Sequence, residues 1–504
     1  MTMKDVLAST VVFLVALPLC MGIAIASGAP PAAGLITGII GGLVVGMISG
    51  APFQVSGPAA GLAVIVFELV NEHGIAAIGP LVLMAGVIQL LAGALKLGRW
   101  FRAISPPVVF GMLAGIGVLI FASQFHVMVD DKPKAGGIAN IVSIPESIVK
   151  GLLPIDQHSW AALMGVITVA VILLWNAFRP SRLRFIPGLL LGAITASVVA
   201  AVFKLPIHYV NVPSDLWGAL AIVKPDSLLG FVTDGKMLAE ALGLALVASA
   251  ETMLCAVAVD RMHNGPRAQF DRELAAQGFG NMLCGWFGGL PMTGVIVRSA
   301  ANIDAGAQTR WSAVMHGGWI LCFVLFFPGI LSLIPTSSLA AILVFTGVKL
   351  VNIDNIREIR KYGLIPVAIY AVTVIGIVSF DLLTGVLIGI GASLLKLLYE
   401  VTHLAVRVEN RPSSHCVDMY LDGSATFVGL PKLAAKLDEI PNSAHLHVHF
   451  ENLNYIDHAC LDALANWEKQ NESSGARLIV EWDELVSRYS PSTPRVQEPA
   501  EVDA

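Results

Sequence analysis

Charge is scarce in this chain: of 504 residues only 13% are Asp, Glu, Lys or Arg, against about 25% in a typical soluble domain. That shortage excludes an ordinary cytosolic enzyme and a disordered chain. The net charge is −5 and no large basic run is present, so nothing points to nucleic acid as a partner. The six cysteines, Cys20, Cys255, Cys284, Cys322, Cys416 and Cys460, are scattered and form no CxxC pair, which indicates neither a disulfide framework nor a zinc site. No nucleophile–base pair or metal-ligand cluster stands out, so an enzyme is the least favoured class. Apolar residues are what the chain has in excess, 56% of the total. A single core stops growing beyond ~250–300 residues, so the composition describes a polytopic membrane protein. Forty-eight glycines and 27 prolines within apolar sequence fit helices that pack closely or break.

Apolar stretches near the ~17–20 residues that a bilayer requires fall at 7–27, 78–97, 160–178, 184–203, 239–259, 312–331, 362–379 and 382–402. Shorter ones lie at 32–48, 106–124, 274–290 and 335–350, and two more, at 58–70 and 294–304, are too short to cross as simple helices. The first run resembles a secretory signal, but Pro18 interrupts it and many further spans follow, which favours a first span. The total is fourteen. With the N-terminus inside, the loops assigned to the cytoplasm carry Lys96, Arg99, Arg102, Arg179, Arg182, Arg184, Arg261, Arg267, Arg272, Arg310, Lys349, Arg357, Arg360 and Lys361. The loops assigned outside carry only Lys132, Lys134, Lys150, Lys204, Lys224 and Lys236. This is the imbalance expected of cytoplasmic and external loops.

The two short spans are the third of the first seven and the third of the second seven. Broken segments at matching positions in two halves point to a transporter site built from inverted repeats, because irregular backbone at membrane depth survives mainly where it lines a cavity or is buried in protein. Two ionisable residues lie deep in spans: Glu251 in the eighth and Arg298 in the second short helix. A charge at mid-bilayer costs at least ~2.5–3.5 kcal/mol on the insertion scale. These two residues therefore either form a structural ion pair or face a polar cavity. Glu68 and Asp260 lie near span ends, where solvated or structural roles are expected, and His316 reads as a packed polar residue. Two helix N-termini meeting at mid-membrane each present about half a positive charge and free N–H donors. With Arg298 they total roughly +2, or +1 with Glu251 ionised, which favours a small oxyanion over a cation or a neutral solute.

Beyond Leu397 the composition changes. Residues 411–490 read as a small α/β domain: Val417, Met419 and Leu421 alternate as a strand, 431–440 is an amphipathic helix, and Leu446, Val448 and Phe450 alternate again. Residues 457–469 are helical with Asp457 as cap, and 478–480 supply another strand. His445, His447 and His449 occupy the opposite strand face from Leu446, Val448 and Phe450. They read as the polar side of a half-buried strand in preference to metal ligands. Residues 491–504, rich in Pro, Ser and Glu, suggest a disordered tail.

The segments Val15-Ala16-Leu17-Pro18, Gln54-Val55-Ser56-Gly57-Pro58, Arg272-Glu273-Leu274 with Ala276-Gln277-Gly278, Gly288-Gly289-Leu290-Pro291 and Arg298-Ser299-Ala300-Ala301-Asn302-Ile303 carry a resemblance to the SulP (solute carrier family 26) inorganic anion transporters. The match runs through the membrane region in order. The tail resembles the STAS domain that commonly ends these proteins, with Ile456-Asp457-His458-Ala459-Cys460-Leu461 where Asp-Ser-Thr-Gly-Leu is usual. His458 thus replaces the hydroxyl residue that is phosphorylated in some soluble STAS proteins.

The resemblance implies fourteen spans as a seven-plus-seven inverted repeat over residues 1–405. Spans 1–4 and 8–11 would form a core and spans 5–7 and 12–14 a gate. It also implies a homodimer and an elevator-like displacement of the core. Carried over by position, the substrate site would involve Leu19, Cys20, Ser56, Gly57, Ala59, Ala60, Gly294, Val295, Ile296, Val297 and Arg298, with Glu251 and Cys255 coupling an ion. Leu19 stands where proton-coupled members often have Glu. Cys255 and Ile296 stand where the sodium-dependent bicarbonate branch has hydroxyls, so a sodium site at Glu251 is weakened.

The expected protein is therefore a secondary transporter of sulfate or bicarbonate in the cell membrane, without a metal or cofactor. Its N-terminus and C-terminal domain would be cytoplasmic, with the STAS-like domain open to a cytoplasmic regulator. The alternatives are a nucleobase-type proton symporter of the same architecture, disfavoured by the small apolar Ala59, Ala60 and Val295, and a non-transporting sensor or scaffold acting through the tail.

Overall fold

The computed structural model describes residues 2–103, 105–134, 136–153, 156–180, 186–211, 220–223, 234–411, 416–451 and 453–480. Arg182, Arg184, Lys224 and the 491–504 tail lie outside the described residues. The chain divides into two units, Met1–Ile390 and Gly391–Ala504.

Among the described residues each of the fourteen apolar stretches carries a helix. In chain order the first half has α1 (Met3–Ala26), α2 (Pro31–Ile48), α3 (Ala60–His73), α4 (Ile75–Ala94), α5 (Pro106–Met128), α6 (Gly137–Leu152), α7 (Gln157–Phe178) and α8 (Gly188–Val202). The second half has α9 (Gly235–Met262), α10 (Phe270–Trp286), α11 (Ile296–Asp304), α12 (Trp311–Phe326), α13 (Thr336–Leu350), α14 (Ile353–Arg360), α15 (Leu364–Ser379) and α16 (Leu382–Thr402). Among the described residues, eight helices are long and apolar enough to cross a membrane.

Local chemistry sets the ends. The first helix begins at Met3, four residues before the apolar run, because the Thr2 hydroxyl accepts the Asp5 N–H at 3.3 Å and the Asp5 carboxylate accepts the Thr2 N–H at 2.9 Å, a capping box. Helix α10 stops at Trp286, ahead of the expected 290, where Gly288 takes φ +74°. Two helices were not expected. Helix α6 is amphipathic, with exposed Ile138, Ile141, Val142, Ile148 and Val149 and too few apolar residues to register as a span. Helix α14 is short and charged, started by Asn352, whose side chain accepts the Asp354 N–H.

Glycine rows allow the tightest pairing. Gly79, Gly86 and Gly93 recur every seventh residue on α4, as do Gly278 and Gly285 on α10. A Cβ on Gly86 would lie 2.4 Å from the Met282 nitrogen, and one on Gly278 would lie 2.3 Å from that of Leu90. The helices touch backbone to backbone, as small residues permit where lipid supplies no hydrophobic drive.

The second unit holds a five-stranded sheet. Strands β3 (Leu404–Arg411), β4 (Cys416–Ala425), β5 (His445–His449) and β7 (Leu478–Val480) are ordered β3-β4-β5-β7, and β6 (Leu453–Ile456) also pairs β4. Strand β3 is antiparallel to β4, whereas β5 and β6 run parallel to it. Two short strands, β1 (Ser56–Pro58) and β2 (Met292–Gly294), belong to the first unit. Helices α17 (Leu430–Asp438) and α18 (His458–Asn471) accompany the sheet. Met419, Leu421, Leu446, Val448, Leu433 and Leu464 form its buried core. Asp457 caps α18 by accepting the Cys460 N–H at 2.9 Å. Burial works to raise its pKa, but backbone N–H bonds from Cys460, Phe427 and Ala459 outweigh it and hold the carboxyl below its ordinary range. Strands β3 and β6 were not read in the sequence: β3 lies ahead of residue 411, where the α/β domain was expected to begin, and β6 is four residues long.

Gly86→Leu is expected to prevent α4–α10 packing, a clash with no room for relaxation that should exceed the usual ~1–3 kcal/mol of overpacking. Size-exclusion chromatography of the detergent-extracted protein checks this. A monodisperse, thermally unaltered variant would contradict the backbone contact.

Candidate functional site

Both short spans begin with a strand. Strands β1 and β2 pair antiparallel, placing Ser56 opposite Gly294, Gly57 opposite Thr293 and Pro58 opposite Met292. The next residues open α3 and α11, so two helix N-termini meet where the chain breaks. The N-cap residues are Ala59 and Val295, and neither helix start has a side-chain cap, which leaves first-turn N–H groups for a ligand.

A polar stripe on α10 supports this crossing. Glu273, Gln277 and Asn281, spaced four apart, face one way and are buried. Asn281 acts as a substitute strand edge: its Oδ1 accepts the Met292 N–H at 2.7 Å and its Nδ2 donates to the Met292 carbonyl at 3.1 Å. Gln277 donates to Ser56 Oγ at 2.5 Å and to Glu273 at 2.9 Å. Glu273 also accepts from the Ser49 hydroxyl (2.5 Å), the Ala51 N–H (3.0 Å) and Gln54 (2.8 Å). A buried carboxylate with this many donors is a structural anchor. Thr252 accepts the Gly294 N–H at 3.2 Å and Ser299 accepts the Val55 N–H at 2.9 Å. Glu273, Gln277, Asn281, Thr252 and Ser299 were not expected as site residues; the i, i+4, i+8 polar stripe on α10 was the signal available.

Arg298 is fully buried, and none of its three guanidinium nitrogens has a hydrogen-bond partner. Its head lies against Gly57 of the opposing strand: a Cβ there would fall 2.1 Å from Nη1 and 3.1 Å from Cζ. Cys20 on α1 and His316 on α12 lie within its electrostatic reach. His316 is buried with Nε2 unpartnered, and Leu19 is buried beside Cys20 in sequence. Ile296 and Val297 are half-buried in the first turn of α11.

Glu251 on α9 does not pair with Arg298, so the structural ion pair is not formed. Its carboxylate sits against the first turn of α3, where a Cβ on Gly61 would lie 3.0 Å from both oxygens, and its Oε2 is buried without a partner. Cys255, one turn on, faces Ser299 with Sγ 3.7 Å from Oγ. Asp260 serves a loop instead, accepting the Ala268 N–H at 3.0 Å.

A cavity of about 300 Å³ runs along α3, and of the expected site residues Ala60 lines it. It is lined by Ala60, Ala63 and Glu68 of α3, Ser123 and Gln124 of α5, and Lys134. Gln124 is 1% exposed and its Nε2 has no partner, so a donor from α5 is available on the side facing α3. With a water occupying ~30 Å³ of liquid, the space suits a small hydrated ion.

A profile described as the Sulfate permease family matches residues 3–373. The chain belongs to the sulfate permease family. Among curated members of this family it is 29% identical over 498 residues to YvdB of Bacillus subtilis, whose name assigns it provisionally to sulfate transport; the match covers 95% of this chain and 91% of YvdB. The bicarbonate transporter BicA of Picosynechococcus sp. is 25% identical, with 77% of this chain and 68% of BicA covered. Among solved structures, the BicA transmembrane domain matches with a TM-score of 0.63 at 23% identity, covering 77% and 96% of the two chains. The murine solute carrier 26 member A9 anion transporter matches with 0.75 at 14% identity, covering 95% and 85%. These likenesses establish the helical membrane fold of the family together with its C-terminal α/β region.

Gly57→Ala is expected to displace the Arg298 guanidinium while leaving the β1–β2 pairing intact, because Ala adds one methyl to an already extended segment. Anion uptake in proteoliposomes should fall more than about tenfold, the scale of a lost charged hydrogen bond, with thermal unfolding little changed. Normal uptake would show that the guanidinium does not need the space above Gly57.

Proposed function

We propose that this sulfate permease family member is a secondary active transporter that moves an inorganic oxyanion, sulfate or bicarbonate, across the cell membrane. One observation carries the reading: a fully buried arginine with every donor unpaired beside two uncapped helix N-termini. A buried cation without a partner is costly, and a bound oxyanion would satisfy the guanidinium and the first-turn N–H groups together. Arg298 and the termini sum to roughly +2, or +1 with Glu251 ionised. At ~6 Å and an effective dielectric of ~20 each unit is worth about 3 kcal/mol. The anion would lie among Cys20, Ser56, Gly57, Ala59, Ala60, Gly294, Val295, Ile296, Val297 and Arg298, with Leu19 in the wall.

Translocation on this reading is an elevator-like displacement of a core (spans 1–4 and 8–11) against a gate (spans 5–7 and 12–14). The β1–β2 pairing and the α4–α10 glycine contact bind core elements to one another, whereas α3 and α5 meet at Gly61 and Ile116 and leave a cavity beside that contact. We read the protein as a homodimer with cytoplasmic termini, its STAS-like domain available to a cytoplasmic regulator.

Glu251 is the coupling group in this proposal. A sodium ion would want several oxygens, yet the Thr252 and Ser299 hydroxyls each already accept a backbone N–H and Cys255 offers sulfur. A proton needs only the carboxylate.

The test is radiotracer uptake of sulfate and of bicarbonate into proteoliposomes, each with and without sodium and a proton gradient. Arg298→Ala is expected to abolish uptake with folding retained; undiminished uptake would remove Arg298 from the site. Glu251→Gln should remove the response to the proton gradient, and a strict sodium requirement in the unmodified protein would overturn that assignment. Gln124→Leu should raise KM more than it lowers maximal rate.

A further inference from the structure

We propose that the C-terminal domain carries a binding site for a divalent transition-metal ion, built from Asp418 on β4 and His447 and His449 on β5. Alternation places Val417, Met419, Leu421, Leu446 and Val448 in the buried core, so Asp418, His447 and His449 share the other face of the sheet. The parallel register sets Asp418 opposite His447 and Tyr420 opposite His449. A pattern of imidazoles that reads along one strand as a polar face thus acquires a carboxylate from the neighbouring strand.

The distances suit a metal. Asp418 Oδ1 lies 3.1 Å from His449 Nε2 and 3.5 Å from His447 Nδ1, and one ligand atom from each of the three residues falls within 4.8 Å of the others. Metal–ligand bonds of ~2.0–2.1 Å in a tetrahedron put ligand atoms about 3.3 Å apart, between the two observed separations. The Asp418 carboxylate is 2% exposed, and a buried anion is stabilised by a cation at its oxygens. Ring orientation is fixed from outside the trio: Tyr420 stacks on His449 with centroids 4.6 Å apart and planes 12° apart, and the Arg407 guanidinium lies 5.1 Å over Tyr420. Two imidazoles and a carboxylate favour Zn²⁺, Co²⁺, Ni²⁺ or Cu²⁺ over Mg²⁺ or Ca²⁺. Three protein ligands leave a position for water or a further donor.

The same face presents His445, whose Nδ1 is buried without a partner, at the end of the strand. Among the described residues the other group with comparable spacing is Glu72, His73 and Glu240 in the first unit. That group includes the exposed Glu72, which pairs with Lys236.

The experiment uses the full-length protein in detergent, stripped with a chelator and titrated with Zn²⁺ against a chromophoric competitor. We expect one saturable equivalent at micromolar Zn²⁺ or below. It should be lost in the His447→Asn/His449→Asn double variant and kept in His73→Asn. Co²⁺ in the unmodified protein should show the absorption bands of a four-coordinate ion, absent from the double variant. Asp418→Asn preserves shape and an accepting oxygen, and it should weaken Zn²⁺ at least about tenfold even if the double variant folds poorly. Equal Zn²⁺ binding by the unmodified protein and Asp418→Asn, or no saturable binding at all, would overturn the assignment.

Discussion

The structure of the membrane unit depends on how two breaks in helical backbone are satisfied at membrane depth. Each break exposes peptide groups that lipid cannot hydrogen-bond. Strands β1 and β2 solve the problem jointly: each supplies the other's partners in a three-residue antiparallel ladder. What the ladder leaves over is taken by side chains, Asn281 on Met292, Thr252 on Gly294 and Ser299 on Val55. Thr37 does the same one step earlier, accepting the Leu290 N–H at 2.7 Å. The polar residues of α10 are thus consequences of the break, and the glycine rows that press α4 onto α10 hold the stripe in place from behind.

Because the backbone between the half-helices is consumed by pairing, the free donors are those of the two first turns and of Arg298. Glycine at position 57 belongs to this geometry. It lets the guanidinium cross from α11 to the opposite strand, so a side chain from one repeat lies over the backbone of the other. Glu251 faces the other half-helix at Gly61 and is kept apart from Arg298. An ion pair between them would cancel the field that the helix ends create. Their separation leaves a guanidinium against β1 and a carboxylate against the first turn of α3.

Much of this was legible in the sequence, for reasons that differ by feature. The two short spans showed themselves because a bilayer sets a minimum length that 58–70 and 294–304 do not reach, and Arg298 because charge is so rare in apolar sequence. The strand pairing was not legible, since three residues such as Ser56, Gly57 and Pro58 carry no alternation. Gln124 was hidden inside an apolar span as one amide among many small residues. The Glu251–Arg298 alternative could not be settled from sequence: both lie deep in the chain's apolar regions, and which one faces which helix end is decided by tertiary packing. In the C-terminal domain, alternation revealed the histidine face, but the carboxylate opposite it comes from strand register, which a single sequence does not specify.

Charge balance connects the proposed site to the proposed coupling. A core domain crossing the bilayer with unbalanced charge meets a penalty of several kcal/mol per unit, so a mobile site should be near neutral when loaded. With Glu251 ionised, the helix ends and Arg298 leave roughly one positive charge, which a monovalent anion such as bicarbonate neutralises. With Glu251 protonated they leave roughly two, which matches a dianion such as sulfate. On the proposed coupling, one carboxylate at Gly61 would tie the valence of the cargo to the protonation of the carrier. A dianion would bring a proton with it, and a monoanion would not require one. On that proposal an acid in place of Leu19 would be a disadvantage: a second titratable group would allow loaded states of mixed charge and loosen the link between proton and anion.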